Sequence, residues 1–166
     1  MTVFLCGFMG CGKTTVGKIA AKKLGCTFCD TDDMIVDGQK MSIPDIFAQK
    51  GEPYFRKVEA DIVKSVCGKP AVVACGGGAM LNPDTAAAAS KSGAVIFLDV
   101  DFETCYERIC GDSNRPIAAS SSKEELLGRF NARRGVYLAH STLQIDASGS
   151  PMETAEKIAE YVKKMR

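Results

Sequence analysis

The sequence predicts an α/β domain built on a parallel sheet with helices on both faces, and three observations carry that expectation. Short apolar runs alternate with segments of helical periodicity along the chain, the pattern of strands joined by crossover helices. The first apolar run, Val3–Cys6, leads directly into Gly7-Phe8-Met9-Gly10-Cys11-Gly12-Lys13-Thr14, a complete G-x-x-x-x-G-K-[ST] loop, which belongs at a strand-to-helix turn of such a sheet. The 166 residues suit one domain, 1–166, large enough to bury its own core.

In chain order, the strands are expected at Val3–Cys6, Thr27–Cys29, Ala71–Ala74, Ala94–Leu98 and Thr142–Ile145, each a short apolar run. The first helix, Lys13–Leu24, carries an apolar stripe of Val16, Ile19, Ala20 and Leu24. Helices are expected next at Asp45–Gln49, Tyr54–Cys67, Pro83–Ser92, Phe102–Cys110 and Lys123–Leu138. The last helix, Met152–Lys164, sets Met152, Ala155, Ile158, Ala159 and Val162 on one face with Lys and Glu opposite. The polar, small-residue stretch from Gly111 to Ser122 reads as a loop between two helices, and Arg115 within it favours a lid that closes over phosphates and excludes water.

The glycine loop names a ligand class. Its glycines let the backbone curl so that successive N–H groups point inward at phosphate oxygens. The helix starting near Gly12 adds the positive end of its dipole. Lys13 supplies a charge for the β and γ phosphates, and the Thr14 hydroxyl is placed to ligate Mg²⁺. A nucleoside triphosphate with magnesium follows.

Composition narrows the partners. Lys and Arg number 21 against 20 Asp and Glu, a formal charge of +1, so no broad electrostatic footprint exists for nucleic acid or an anionic membrane. The opening residues lack a basic n-region and run straight into the loop, and no apolar run approaches the roughly 20 residues of a spanning helix. A cytoplasmic monomer acting on small molecules is the expectation. The eight cysteines read as reduced: Cys6, Cys29 and Cys75 end apolar runs, where free Cys packs as a small hydrophobe. Cys26 and Cys29 form a C-x-x-C, but no second pair lies at a metal-site spacing and His140 is the one histidine. Cys11 differs, because positive charge inside the phosphate loop could lower its pKa and expose nucleotide binding to alkylation.

Further residues point to an acceptor. Asp30-Thr31-Asp32 closes the second strand, where alternation would turn both carboxylates to one side at the carboxyl end of the sheet. One can serve the magnesium shell and the other can orient a hydroxyl; a helix N-cap at Asp32 is the plainer alternative. Phe55, Arg56 and Glu59 lie on one helix, and Gly76-Gly77-Gly78 after a buried strand marks a place where a ligand approaches backbone. Arg108, Arg115, Arg133 and Arg134 offer paired N–H donors to carboxylates and phosphates. Arg133 and Arg134 cannot both face one site, since adjacent helical residues lie about 100° apart.

Taken together, the phosphate loop through Thr15, Asp30-Thr31-Asp32, Phe55-Arg56 with Glu59, Gly76-Gly77-Gly78, Arg115-Pro116, and Arg133 with Tyr137 recur in the order and spacing of shikimate kinase, which the chain closely resembles over nearly its whole length. The resemblance implies a P-loop domain of the nucleoside-monophosphate-kinase type, with a five-stranded parallel sheet, a substrate-binding helical segment at about 31–60 and a lid at about 111–122. It implies phosphorylation of the shikimate 3-hydroxyl by ATP, in the pathway to aromatic amino acids. By similarity, Gly10, Cys11, Gly12, Lys13, Thr14 and Thr15 would bind ATP, with Arg108 near adenine; Thr14 and, through water, Asp30 would hold Mg²⁺. Asp32 would meet the hydroxyls as candidate base, Arg56 and Arg133 would grip the carboxylate, and Gly76, Gly77 and Gly78 would line the acceptor, Gly77 meeting a hydroxyl through its backbone. Lys13, Asp32 and Arg115 would form the catalytic set. The chain departs from the family's usual pattern at Gly135, where a proline is common, at Ala139, at Ile117-Ala118 in the lid, and at Ser148-Gly149-Ser150-Pro151 on the adenine side. A kinase for another polyol acid such as gluconate shares the phosphate loop and lid. A nucleotide-dependent switch would need an N-K-x-D motif, which is missing.

Overall fold

The computed structural model describes residues 1–110 and 116–165. Five strands form one sheet in the order β2-β3-β1-β4-β5, all parallel: β1 Thr2–Cys6, β2 Thr27–Asp30, β3 Ala71–Ala74, β4 Gly93–Asp99 and β5 Leu143–Asp146. Each lies within a residue or so of its expected place. Parallel pairing puts every strand's carboxyl end on one edge, and the phosphate loop, Asp30 and the Gly76–Gly78 segment all leave the sheet there. The central strands β1, β3 and β4 are almost entirely buried, as continuous apolar runs covered on both faces must be.

Nine helices are described: α1 Lys13–Leu24, α2 Thr31–Gln39, α3 Ile43–Lys50, α4 Glu52–Val66, α5 Pro83–Ser92, α6 Phe102–Ile109, α7 Pro116–Ser120, α8 Lys123–His140 and α9 Pro151–Lys164, with a short 3₁₀ turn at Ala79–Leu81. Helix α1 buries Val16, Gly17, Ala20 and Ala21 against the sheet. Helix α9 buries Ala155, Ile158, Ala159 and Val162 of its expected apolar face, whereas Met152 in its first turn is exposed. Both α8 and α9 start with a reciprocal capping box, Ser122 with Glu125 and Ser150 with Glu153, which satisfies two otherwise orphaned N–H groups at each start.

Helix α2 falls inside the helical segment of about 31–60 that the resemblance implies, although periodicity alone predicts no helix there, and its presence corrects the reading of Asp30 and Asp32. The strand stops at Asp30, whose side chain caps α2 by accepting from the Asp32 N–H at 3.0 Å. Asp32 therefore sits in a first helical turn, where its charge suits the dipole, and strand alternation does not place it. Helix α3 also begins earlier than expected, at Ile43, because Ser42 caps it. Helices α2, α3 and α4 pack around a small core of their own, Ile35, Ile46 and Phe55, separate from the main one. The stretch Gly111–Ser122 is not one loop: Pro116–Ser120 is helical, while Arg115 and the residues before it from 111 lie outside the described residues.

Candidate active site

The phosphate loop follows β1 and opens α1. Gly10 and Gly12 hold φ of 84° and 93°, a left-handed backbone that a side chain would strain. Lys13 Nζ donates to the loop's own carbonyls, Gly7 at 2.8 Å and Phe8 at 3.1 Å, so the ammonium stays within the loop it serves. Thr14 Oγ1 donates to Asp30 Oδ2 at 2.7 Å, and Asp30 Oδ1 is the cap of α2. From α6, Arg108 Nη1 donates to the Gly10 carbonyl at 2.9 Å. Gly10, Gly12, Lys13, Thr14, Thr15, Asp30 and Arg108 thereby line a cavity of about 230 Å³.

Cys11 is placed differently from its loop neighbours. It is 2% exposed, its N–H is spent on the Phe8 carbonyl at 3.2 Å, and it does not line the cavity. Lys13 Nζ lies 3.6 Å from its sulfur, but the burial removes the access that alkylation needs. The other cysteines are free as well, and burial pushes the Cys6 thiol up to about 12, the mark of an inert packed group.

A second cavity of about 80 Å³ adjoins the first. Asp32, Arg56, Glu59, Arg133 and Gly76–Gly78 form its polar wall, and Met9, Ile43, Phe47, Phe55 and Ile117 its apolar one. Asp32, Gly76 and Gly77 line both cavities. Arg56 Nη1 donates to Glu59 Oε1 at 2.9 Å, and its Nη2 donates to Glu52 Oε1 at 3.2 Å. Burial pulls the Arg56 pKa down, but the two glutamates outweigh it and the net direction is up. Glu59 is 2% exposed, and burial raises its pKa against the opposing pull of Arg56. Its Oε2 has no hydrogen-bond partner, a costly state for a buried oxygen.

The Gly76–Gly78 segment is held from two sides. The Gly76 N–H donates to Thr31 Oγ1 at 2.9 Å, and the Tyr137 hydroxyl donates to the Gly77 carbonyl. Burial raises the Tyr137 pKa, so the hydroxyl remains a donor. A Cβ built on Gly76 would lie 2.7 Å from Glu59 Oε2 and 2.9 Å from Asp32 Oδ1, which explains the missing side chain there.

The structure separates the two adjacent arginines. Arg133 lines the second cavity, whereas Arg134 turns to the end of β4 and meets Asp99 through Nε at 3.2 Å and Nη2 at 2.5 Å. Arg115 lies outside the described residues. Thr31 was not singled out from the sequence; it stands between two carboxylates that drew attention first. Tyr137 appeared there only as part of a spacing, although its place four residues after Arg133 puts both on one helix face.

The Thr14 and Asp30 oxygens are hard donors of the kind Mg²⁺ takes. Among the described residues no group of three or more His, Cys, Asp or Glu gathers to hold a metal by itself. An ion here would therefore be shared with bound phosphates, the usual arrangement for Mg²⁺.

Known proteins match nearly the whole chain. The family model described as shikimate kinase matches residues 9–164. A shikimate kinase of Streptococcus gordonii is 40% identical over 166 residues, spanning 98% of this chain and 99% of that one. One of Geobacter metallireducens is 38% identical over 152 residues, 91% of this chain and 85% of its own. Among solved structures, a shikimate kinase from Acinetobacter baumannii in complex with shikimate superposes with a TM-score of 0.93 at 30% identity, covering 99% of this chain and 94% of that one.

Proposed function

Since the chain belongs to the shikimate kinase family, we propose that its two adjoining cavities hold ATP and shikimate and that Asp32 stands where they meet. The activity is ATP-dependent phosphorylation of shikimate, giving shikimate 3-phosphate and ADP on the route to aromatic amino acids. The observation that carries the division of labour is that Asp32, Gly76 and Gly77 are the shared wall of a phosphate-loop cavity and a cavity with two arginines.

In this reading the loop from Gly10 to Thr15 and Lys13 hold the triphosphate, Arg108 borders the nucleotide, and Arg115 closes on the transferring phosphate. Thr14 and, through water, Asp30 would hold Mg²⁺. Bound there, the ion would neutralise charge on the phosphate oxygens. Arg56 and Arg133 take the carboxylate of shikimate as paired N–H donors, with Arg56 steadied by Glu59 and Glu52. The apolar wall of Ile43, Phe47, Phe55 and Ile117 suits a ring face better than an open-chain polyol. Asp32 accepts the hydrogen bond of the 3-hydroxyl; as that oxygen bonds to the γ-phosphorus and the bond to the β–γ bridging oxygen breaks, the hydroxyl proton passes to Asp32. Most of the acceleration then comes from positioning and charge neutralisation rather than from the base.

No described helix is long and apolar enough to cross a membrane. The test is coupled release of ADP with ATP and Mg²⁺, offering shikimate and gluconate separately. Turnover on shikimate alone is expected; turnover on gluconate alone overturns the acceptor assignment.

A further inference from the structure

Helix α8 faces the acceptor cavity on one side and the end of β4 on another. At 100° per residue, Arg133, Tyr137 and His140 fall within about 60° of one another round the helix. Tyr137 donates to the Gly77 carbonyl and His140 Nδ1 lies 2.7 Å from the Met80 carbonyl, so this face grips the segment that follows β3. Arg134 stands about 100° round from Arg133. Its two-pronged contact with Asp99, at 3.2 and 2.5 Å, is one that a guanidinium makes and an ammonium does not. Asp99 is the last residue of β4, and Gln144 of the neighbouring β5 donates to its Oδ2 at 2.7 Å. Gly135, next to Arg134 inside the helix, adds no side chain and has open space where a Cβ would stand.

We propose that Arg134 and Asp99 form a brace that fixes the rotation of α8 and so aims Arg133 at the acceptor carboxylate. This rests on the assignment of Arg133 to that carboxylate. Phe130 packs edge-on against Phe8 and Phe102 and Leu138 packs on the main core, but such apolar contacts are non-directional, and the contact to Asp99, about 100° round from Arg133, adds the directional tie that sets the fine rotation. A side-chain tip rides about 5–6 Å from the helix axis, so a roll of about 10° sweeps it about 1 Å. A displacement of that size at a substrate-holding group costs up to about 100-fold. The pair is only partly buried, with side-chain exposures of 43% and 19%, so its worth lies in direction rather than in stability. Arg134 and Asp99 are positioning residues in this account, since neither lines the acceptor cavity.

The experiment is steady-state kinetics on Arg133→Ala, Arg134→Ala, Asp99→Ala and the Arg134→Ala/Asp99→Ala double variant, with thermal melting of each. Arg134→Ala is expected to raise the KM for shikimate by about 5–50-fold, inside the range that a 1 Å displacement allows. Its kcat and KM for ATP should stay within about twofold of the parent. Asp99→Ala should do the same, and the double variant should be no worse than either single one, as expected of residues acting as a unit. The brace is overturned if Arg134→Ala leaves the shikimate KM unchanged while Arg133→Ala raises it. It is overturned equally if kcat, both KM values and Tm all worsen together, the mark of general structural damage. If Arg133→Ala itself leaves the shikimate KM unchanged, the Arg133 assignment fails and the brace with it, a result distinct from the first. Should Arg134→Ala fail to fold, Arg134→Gln and Asp99→Asn keep the stems, lose the charges and give the same readout.

Discussion

Gly78→Ala isolates the proposed hold of Arg56 on the acceptor carboxylate without replacing a charged residue. Gly78 has φ −97° and ψ −10°, which alanine adopts without strain, so the backbone has no reason to move. A Cβ built there would lie 2.2 Å from Arg56 Nη1 and 2.6 Å from its Cζ. To reach ordinary contact at 3.4 Å, the guanidinium must retreat by about 1.2 Å. Its 2.9 Å hydrogen bond to Glu59 Oε1 and its reach to the acceptor cannot both survive that shift. Losing one charge-assisted hydrogen bond costs about 1.5–3 kcal/mol, and at RT of about 0.59 kcal/mol this is roughly a 10- to 150-fold rise in the KM for shikimate. The KM for ATP should not change, and Tm should fall little, because the displaced atoms are the end of a flexible side chain. Initial rates with each substrate varied in turn, together with a melting curve, decide the matter. A shikimate KM within about twofold of the parent would refute the reasoning, since Arg56 would then not be holding the acceptor.

Two further perturbations probe the surroundings of the clamp. Glu59 has a folded pKa raised above its ordinary 4.5 because burial outweighs Arg56; its contribution to stability is fully present below 4.5 and is lost as pH rises through the folded value. Glu59→Gln cannot titrate, so the parent's stability relative to this variant should decline as pH rises from 4.5 through that window; urea midpoints across the range would show a rising difference if the assignment were wrong. Gly135→Ala replaces an exposed glycine inside α8 at a point where a Cβ meets nothing within 4 Å, which should stabilise by about 0.5–1 kcal/mol and raise Tm by about 1–4 °C. An unchanged or lower Tm would count against it.

The sheet was legible in the sequence because its signal is local. Runs such as Val72-Val73 and Val95-Ile96-Phe97 are apolar on both faces, and no competing pattern obscures them. Helix α2 was legible through the family resemblance and not from periodicity: Asp30-Thr31-Asp32-Asp33 carries three acids where a strand ends, and the helix start is set by the Asp32 N–H donating to the Asp30 side chain. The gathering of Asp30 and Asp32 near the phosphate loop was anticipated on the wrong grounds, since a cap and a first helical turn achieve it rather than strand alternation. The choice between Arg133 and Arg134 could not be read locally because Asp99, which claims Arg134, lies 35 residues away. Burial of Glu59 was hidden for a similar reason. On α4 its place in the Phe55-Arg56-Glu59 set marked it for attention but not its burial, which the Gly76 backbone folded against it shows.

The two halves of the site are joined by means that differ in stiffness. On the nucleotide side, three consecutive residues do the joining: Asp30 takes the Thr14 hydroxyl at 2.7 Å, Thr31 takes the Gly76 N–H at 2.9 Å, and Asp32 lines both cavities. Because Asp30 also caps α2, the spacing between the phosphate loop, the Gly76 segment and Asp32 is fixed by a strand end and a helix start, which have few alternative arrangements. The proposed carboxylate end depends instead on long side chains: Arg56 is held by Glu52 and Glu59, and Arg133 is carried by a helix tied at Gly77, Met80 and Asp99. Distance between donor phosphate and acceptor hydroxyl governs the chemical step, whereas grip on the remote carboxylate governs occupancy. Damage to the arginine supports should therefore appear mainly in KM for the acceptor, and damage to the Asp30–Asp32 turn mainly in kcat.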